Sequence, residues 1–198
     1  MLQAVKMTEK WLRDYGQYID QIGISCDSLS DITNKELGRG FGQHVKITEK
    51  ALSRVHKINA EMGLTIRIKL NTVVMKQNMH EDWSDFIEKN RVQRWKVFKV
   101  LKIIGENEEH FDSLCISDTE FDSFVERHAH LAPILVFEDN DAMTNSYLMV
   151  TPDGRIYQNF LGRYEYSQSI LQVGVSAALS EVGFDFSKFQ RRGGVYQL

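Results

Sequence analysis

Over the first two-thirds of the chain, segments with helical apolar spacing alternate with short apolar strands, an order that points to parallel βα units. VKMTEKWLRDYG predicts a helix stopped at Gly16, and YIDQIGIS a short strand ending near Ser25. SLSDITNKELGRGFG reads as a loop with one helical turn, broken by Gly38, Gly40 and Gly42. Across 45–62, Ile47, Ala51, Val55, Ile58 and Met62 recur at helical spacing, and Gly63 stops that helix just before a strand at 65–74. Asn78 and Glu81 have the spacing of a capping box, opening a helix whose buried side carries Trp83, Phe86 and Ile87. VQRWKVFKVLKI is the next predicted strand. Ser117 and Glu120 repeat the capping spacing ahead of a helix with Phe121, Phe124, Val125 and His128 on one face.

The last third is different. ILVFE and SYLMV predict strands, and the turn Pro152-Asp153-Gly154 leads into RIYQNF, which predicts a hairpin. SQSILQVGVSAALSEVG predicts a final helix ending at Gly183, followed by the basic, glycine-bearing tail FDFSKFQRRGGVYQL. A length of 198 residues with no repeats or linker predicts one domain. The formal charge of −3 gives no global pull toward nucleic acid or an acidic membrane, so any basic site is local. No apolar run approaches the roughly 20 residues of a membrane span, and residues 1–15 lack a signal peptide's apolar core. The expectation is a cytoplasmic protein with neither membrane nor direct nucleic-acid partners. Cys26 and Cys115 are the only cysteines and neither sits in a C-x-x-C pair, which excludes a disulfide framework and a four-cysteine zinc site.

Candidate chemistry begins in TIRIKLNTVV, where Arg67, Lys69 and Asn71 alternate with Ile66, Ile68 and Leu70. The polar face looks either at water, as on an edge strand, or into a pocket that wants negative charge. Arg94 and Lys96 repeat the pattern on the next strand, opposite Trp95 and Val97. Cations gathered in a partly desolvated mouth need a polyanion, so Lys69, Arg94 and Lys96 suggest a phosphate-bearing ligand. Ser25, in ISCDS, lies where a βα strand meets its loop, the usual ligand edge; a local turn made by Asp27 or Ser28 fits the same residues. Cys26 reads as a small buried filler. Arg39 stands among three glycines in GRGFG, a spacing that is neither a Walker nor a dinucleotide fingerprint. In RRGG, Arg191 and Arg192 flank amides that could cap a triphosphate or belong to a frayed terminus. The histidines do not gather into a metal site.

WLRDYG, ISCDS, LGRG, IKLN, RWKVF, GENE, FVERH, SYLMV, SILQVGV and RRGGVY occur in that order. Together they resemble the viperin family of antiviral radical-SAM nucleotide dehydratases and its prokaryotic members, from about Trp11 to Tyr196. That resemblance implies an α/β fold: the second half of a radical-SAM (βα) barrel over 1–130, and a C-terminal α+β extension with a hairpin over 131–198. It implies S-adenosylmethionine and a [4Fe–4S] cluster as cofactors, with a deoxyadenosyl radical taking the ribose 4′ hydrogen of a nucleoside triphosphate of the CTP, UTP or GTP class. Loss of water then gives the 3′-deoxy-3′,4′-didehydro nucleotide. By position, Ser25 and Arg39 resemble the S-adenosylmethionine contacts. Lys69, Asn71, Arg94 and Lys96 resemble the nucleotide and phosphate contacts. Tyr147 resembles a catalytic tyrosine near the nucleotide, and Arg192 the arginine of a phosphate-closing tail. The sequence departs from the family in lacking C-x-x-x-C-x-x-C and the glycine-rich GEP-like segment, and in replacing a family lysine near Tyr164. The expectation is therefore a chain that begins mid-barrel and is inactive alone, needing an N-terminal half or second chain. The alternative is a non-catalytic nucleotide-binding remnant or partner module.

Overall fold

The computed structural model describes residues 6–194; the start of the predicted first helix and the last four residues of the tail lie outside them. The chain forms two compact units, one running to Phe98 and resuming over Ser117–Val136, the other comprising Lys99–Ile116 and the residues from Phe137 onward. No described helix is long and apolar enough to cross a membrane.

The first unit follows the alternation. Helix α1 (Glu9–Tyr15) is capped by the Thr8 side chain and ends at Gly16 as expected, where a short 3-10 turn (Gly16–Tyr18) begins. Strand β1 (Gln21–Ser25), helices α2 (Asp31–Glu36) and α3 (His44–Met62), and strand β2 (Arg67–Val74) follow. The single helical turn expected before the glycine loop is a six-residue helix, because Ser30 caps it by accepting from the Thr33 N–H. Gly63 ends α3 at φ 65°, a left-handed position that favours glycine. Helix α4 (Ser84–Lys89), strand β3 (Arg94–Lys99), then, after helix α5 (Phe111–Leu114) of the second unit, helix α6 (Asp118–Arg127) and strand β4 (Leu135–Glu138) follow, and the four strands make a parallel sheet of order β1-β2-β3-β4. The capping box at Ser117 and Glu120 is present, whereas that at Asn78 and Glu81 is not. The Asn78 side chain accepts from the Met75 N–H and donates to the Asp27 and Val73 carbonyls, and Glu81 takes the Ser28 hydroxyl and the Leu29 N–H. Strand β3 is half the predicted length because the chain leaves the ladder after Lys99.

Trp95 centres the core of this unit, fully buried among Trp83, Phe124 and His128, with its indole N–H donating to Thr72 Oγ1 at 3.0 Å. His128 caps α6 instead of extending its apolar face. Its Nε2 accepts the Trp83 N–H at 2.9 Å, so Nδ1 carries the proton and donates to the Phe124 carbonyl at 2.8 Å. Protonating Nε2 would lose the first bond, and burial holds the imidazole pKa below its usual value. The unfolded chain then binds a proton that the folded chain refuses. This contribution is complete above about pH 6.5 and is lost as the pH falls through the folded-state value. The thermal midpoint should therefore drop between about pH 7 and pH 5 with a steeper slope than in His128→Gln; equal slopes would show that His128 does not contribute.

The second unit holds a separate antiparallel sheet of order β5-β6-β7, with β5 (Met149–Val150), β6 (Arg155–Phe160) and β7 (Arg163–Ser169). The predicted hairpin into RIYQNF forms, but only two residues of SYLMV pair. A second hairpin turns at Leu161-Gly162, both at positive φ, and a Cβ at Gly162 would meet the Lys102 carbonyl oxygen at 2.8 Å. The long final helix is corrected: Ser167 to Ser169 belong to β7, and Gly174 at φ 80° divides the rest into α8 (Ile170–Val173) and α9 (Val175–Glu181). Ile156, Ala178 and Val182 form the core there. Helices α7 (Asn140–Met143) and α10 (Phe186–Arg191) begin at Asp139 and Asp185, whose side chains accept from the Ala142 and Lys188 N–H groups.

Candidate functional site

In the first unit, register and packing decide where the cations point. Strands β1 and β2 pair Gly23 with Lys69 and Ser25 with Asn71, so these four residues share a face. Ile68, Leu70 and Thr72 occupy the other face and are buried. Trp95 bonds Thr72 and so lies with them, which by alternation sends Arg94 and Lys96 to the face of Lys69 and Asn71. Lys96 is only 2% exposed, and its ammonium lies 5.2 Å from the Phe98 ring centroid. Lys69 and Arg94 are half-buried. Asn71 keeps a buried carboxamide oxygen without a hydrogen-bond partner. The face is thus polar and cationic, buried at Lys96 and half-buried at Lys69, Asn71 and Arg94.

At the carboxyl end of β1 the backbone is fixed from several sides. The Ser25 carbonyl meets His44 Nε2 at 2.9 Å, and the Cys26 carbonyl accepts from Thr72 Oγ1 at 2.9 Å. The local turn expected of Ser28 is present, its Oγ accepting the Ser30 N–H. Asp27, 2% exposed, is not a turn residue: one carboxylate oxygen accepts the Val73 N–H at 2.9 Å and the other pairs with Arg39 Nε. Ser25 thus ends β1, and Arg39 is tied to Asp27 two residues beyond it. Burial pushes the Glu81 carboxyl up despite its bonds from Ser28 and Leu29.

In the second unit, Tyr147 and Arg192 are in contact. The guanidinium carbon lies 3.8 Å from the Tyr147 ring centroid, and Nε and Nη2 donate to the Ser146 carbonyl at 3.1 and 2.6 Å. Fully buried Glu138 joins them, one oxygen accepting from the Tyr147 hydroxyl at 2.5 Å and the other from Arg192 Nη1 at 3.3 Å. The sequence gives no short-range signal for Glu138 or for Asp27 as an Arg39 partner. Each acts on a residue many positions away.

The donor set does not fit an iron–sulfur cluster. Cys26 is buried, donates to the Ser28 carbonyl at 3.3 Å, and burial pushes its thiol up to about 12, against thiolate formation. No group of three or more His, Cys, Asp or Glu side chains among the described residues could hold a metal ion. Arg39 does fit the carboxylate of S-adenosylmethionine, because only its Nε is taken by Asp27 and its side chain is 41% exposed.

No family model matches the chain. Curated proteins do match. An S-adenosylmethionine-dependent nucleotide dehydratase of Flammeovirga pacifica is 39% identical over 191 residues, covering 96% of this chain and 64% of that protein. One from Lacinutrix mariniflava is 36% identical over 96% of this chain and 40% of its own length. The S-adenosylmethionine-dependent nucleotide dehydratase RSAD2 of Siniperca chuatsi is 40% identical, over 95% of this chain and 53% of its own. This chain thus spans between 40% and 64% of the length of these three relatives. Along nearly all of its own residues, the chain is a homologue of the S-adenosylmethionine-dependent nucleotide dehydratases, the viperin family.

Proposed function

We propose that this chain is the nucleotide-binding portion of a nucleotide dehydratase acting in antiviral defence, with a ribonucleoside triphosphate such as CTP as substrate. The observation that carries the reading is the shared face of Lys69, Asn71, Arg94 and Lys96 on two neighbouring strands. Like charges gathered on one face favour an anionic ligand, and a triphosphate bound across them suits that preference. Lys69, Arg94 and Lys96 hold the phosphates, and Asn71 supplies a carboxamide to the nucleotide. Ser25 and Arg39 hold S-adenosylmethionine, which supplies the hydrogen-abstracting chemistry when bound. In the second unit, Tyr147 and Arg192 keep the nucleotide-contacting roles that the family resemblance gives them, Arg192 being held there by Glu138 and the Ser146 carbonyl. We assign residues 1–130 to the second half of a radical-SAM barrel and 131–198 to the family's C-terminal extension. The two cysteines favour a division of labour in which another polypeptide segment carries the cluster.

Isothermal titration of the full chain tests the reading. CTP should bind, and Lys96→Met, which keeps the bulk of the side chain without its charge, should weaken binding by about ten- to a hundredfold, the worth of one charge-assisted hydrogen bond. The absence of nucleotide binding in the parent chain, or equal affinity in Lys96→Met, would overturn it. Turnover after iron reconstitution of this chain alone would refute the division of labour.

A further inference from the structure

We infer that Asp27 is a positioning residue that aims Arg39 at the carboxylate end of S-adenosylmethionine, an inference that rests on the cofactor role just proposed for Arg39. Arg39 sits in a segment whose flanking Gly38 and Gly40, and Gly42 beyond, are all at positive φ between 74° and 86°. The Arg39 N–H donates to the Asn34 carbonyl at 2.7 Å and so fixes the backbone at the end of α2, but that bond leaves the torsions of a long side chain undirected. The directing contact comes from the side chain. Asp27 takes the Arg39 Nε, twelve residues along the chain, and no described residue accepts from the two terminal amino groups. One edge of the guanidinium is held while its remaining donors stay presented, the arrangement that suits a second carboxylate.

Asp27 is itself held rigidly enough for this task. Its second oxygen accepts the Val73 N–H at the end of β2, and Asn78 donates to both the Asp27 and the Val73 carbonyls. It is 2% exposed, while the arginine it holds is open to solvent along 41% of its side chain. At the far end of the glycine loop, His44 ties the start of α3 to the Ser25 carbonyl, so the loop is fastened at both ends to the carboxyl end of β1. The carboxylate thus converts the fixed β1–β2 junction into a fixed direction for the Arg39 side chain.

Asp27→Asn separates the two duties of this side chain. Its amide oxygen can still accept from Val73, whereas its NH2 cannot accept from Arg39. Titration of the full chain with S-adenosylmethionine and, separately, with CTP should show at least a tenfold loss of S-adenosylmethionine affinity in Asp27→Asn and less than a twofold change for CTP. In an Arg39→Gln background, adding Asp27→Asn should change S-adenosylmethionine affinity by less than twofold, because Asp27 acts through Arg39. Equal losses for both ligands, or a further tenfold loss in the Arg39→Gln background, would make Asp27 a purely structural residue and overturn the inference. Unchanged S-adenosylmethionine affinity in Asp27→Asn alongside intact CTP binding would overturn it while leaving the nucleotide reading in place. A parent chain that binds neither ligand would overturn both.

Discussion

Trp95→Ala should lower the unfolding free energy by about 3–5 kcal/mol, the range for truncating a fully buried large aromatic. The indole has no solvent-exposed edge and touches Trp83, Phe124 and His128 at centroid distances of 5.8, 5.9 and 4.9 Å. Alanine would leave a cavity lined by rings that cannot collapse into it, and would also remove the donor to Thr72 Oγ1 at 3.0 Å. Trp95→Phe preserves most of the apolar surface and loses only the hydrogen bond and part of the volume, so about 1–2 kcal/mol is expected. Urea denaturation followed by circular dichroism would measure both. The consequence reaches the candidate site, because Trp95 on the apolar face is what fixes Arg94 and Lys96 on the other. A loss under about 1 kcal/mol for Trp95→Ala would mean that the ring cluster does not organise the sheet.

The features of this chain that were legible in advance are those whose cause lies within a few residues. Alternation in 65–74 gave the faces of β2 correctly, and the buried positions of β2 are those the spacing assigns. The helix at 45–62 and its glycine stop were equally local in origin. Errors arose where a distant partner took a side chain away. Asn78 and Glu81 have the spacing of a cap, but both are drawn to the loop after β1, which no window around residue 80 contains. SQSIL begins as strand because β6 pairs with Ser169, although its residues read as the start of a helix. At the candidate site, which residues carry charge was visible in the sequence, and so was the alternation that sets Arg67, Lys69 and Asn71 opposite the buried face of β2. The carboxylates that orient Arg39 and Arg192 were not, because Asp27 lies twelve positions from the first and Glu138 fifty-four from the second.

Glu138→Ala should be the most damaging single change in the second unit, at about 3–5 kcal/mol, because it removes one partner of a buried ion pair and strands the other. Glu138 is fully buried and Arg192 only 8% exposed, so water cannot readily replace the lost carboxylate. The Tyr147 hydroxyl loses its acceptor at the same time. The Ser146 carbonyl would still hold Arg192 Nε and Nη2, but a carbonyl dipole does not neutralise a guanidinium. Replacing both charges by apolar side chains of similar size, Glu138→Leu with Arg192→Met, should recover most of the loss, since the desolvation cost of each ion disappears with it. Under the phosphate role proposed for Arg192, the double variant should recover stability but not nucleotide affinity, so the two should part company in it. Denaturation midpoints of the single and double variants, set beside their CTP affinities, would test the point. A double variant as unstable as Glu138→Ala would show that lost packing, and not an abandoned charge, is what the alanine substitution exposes.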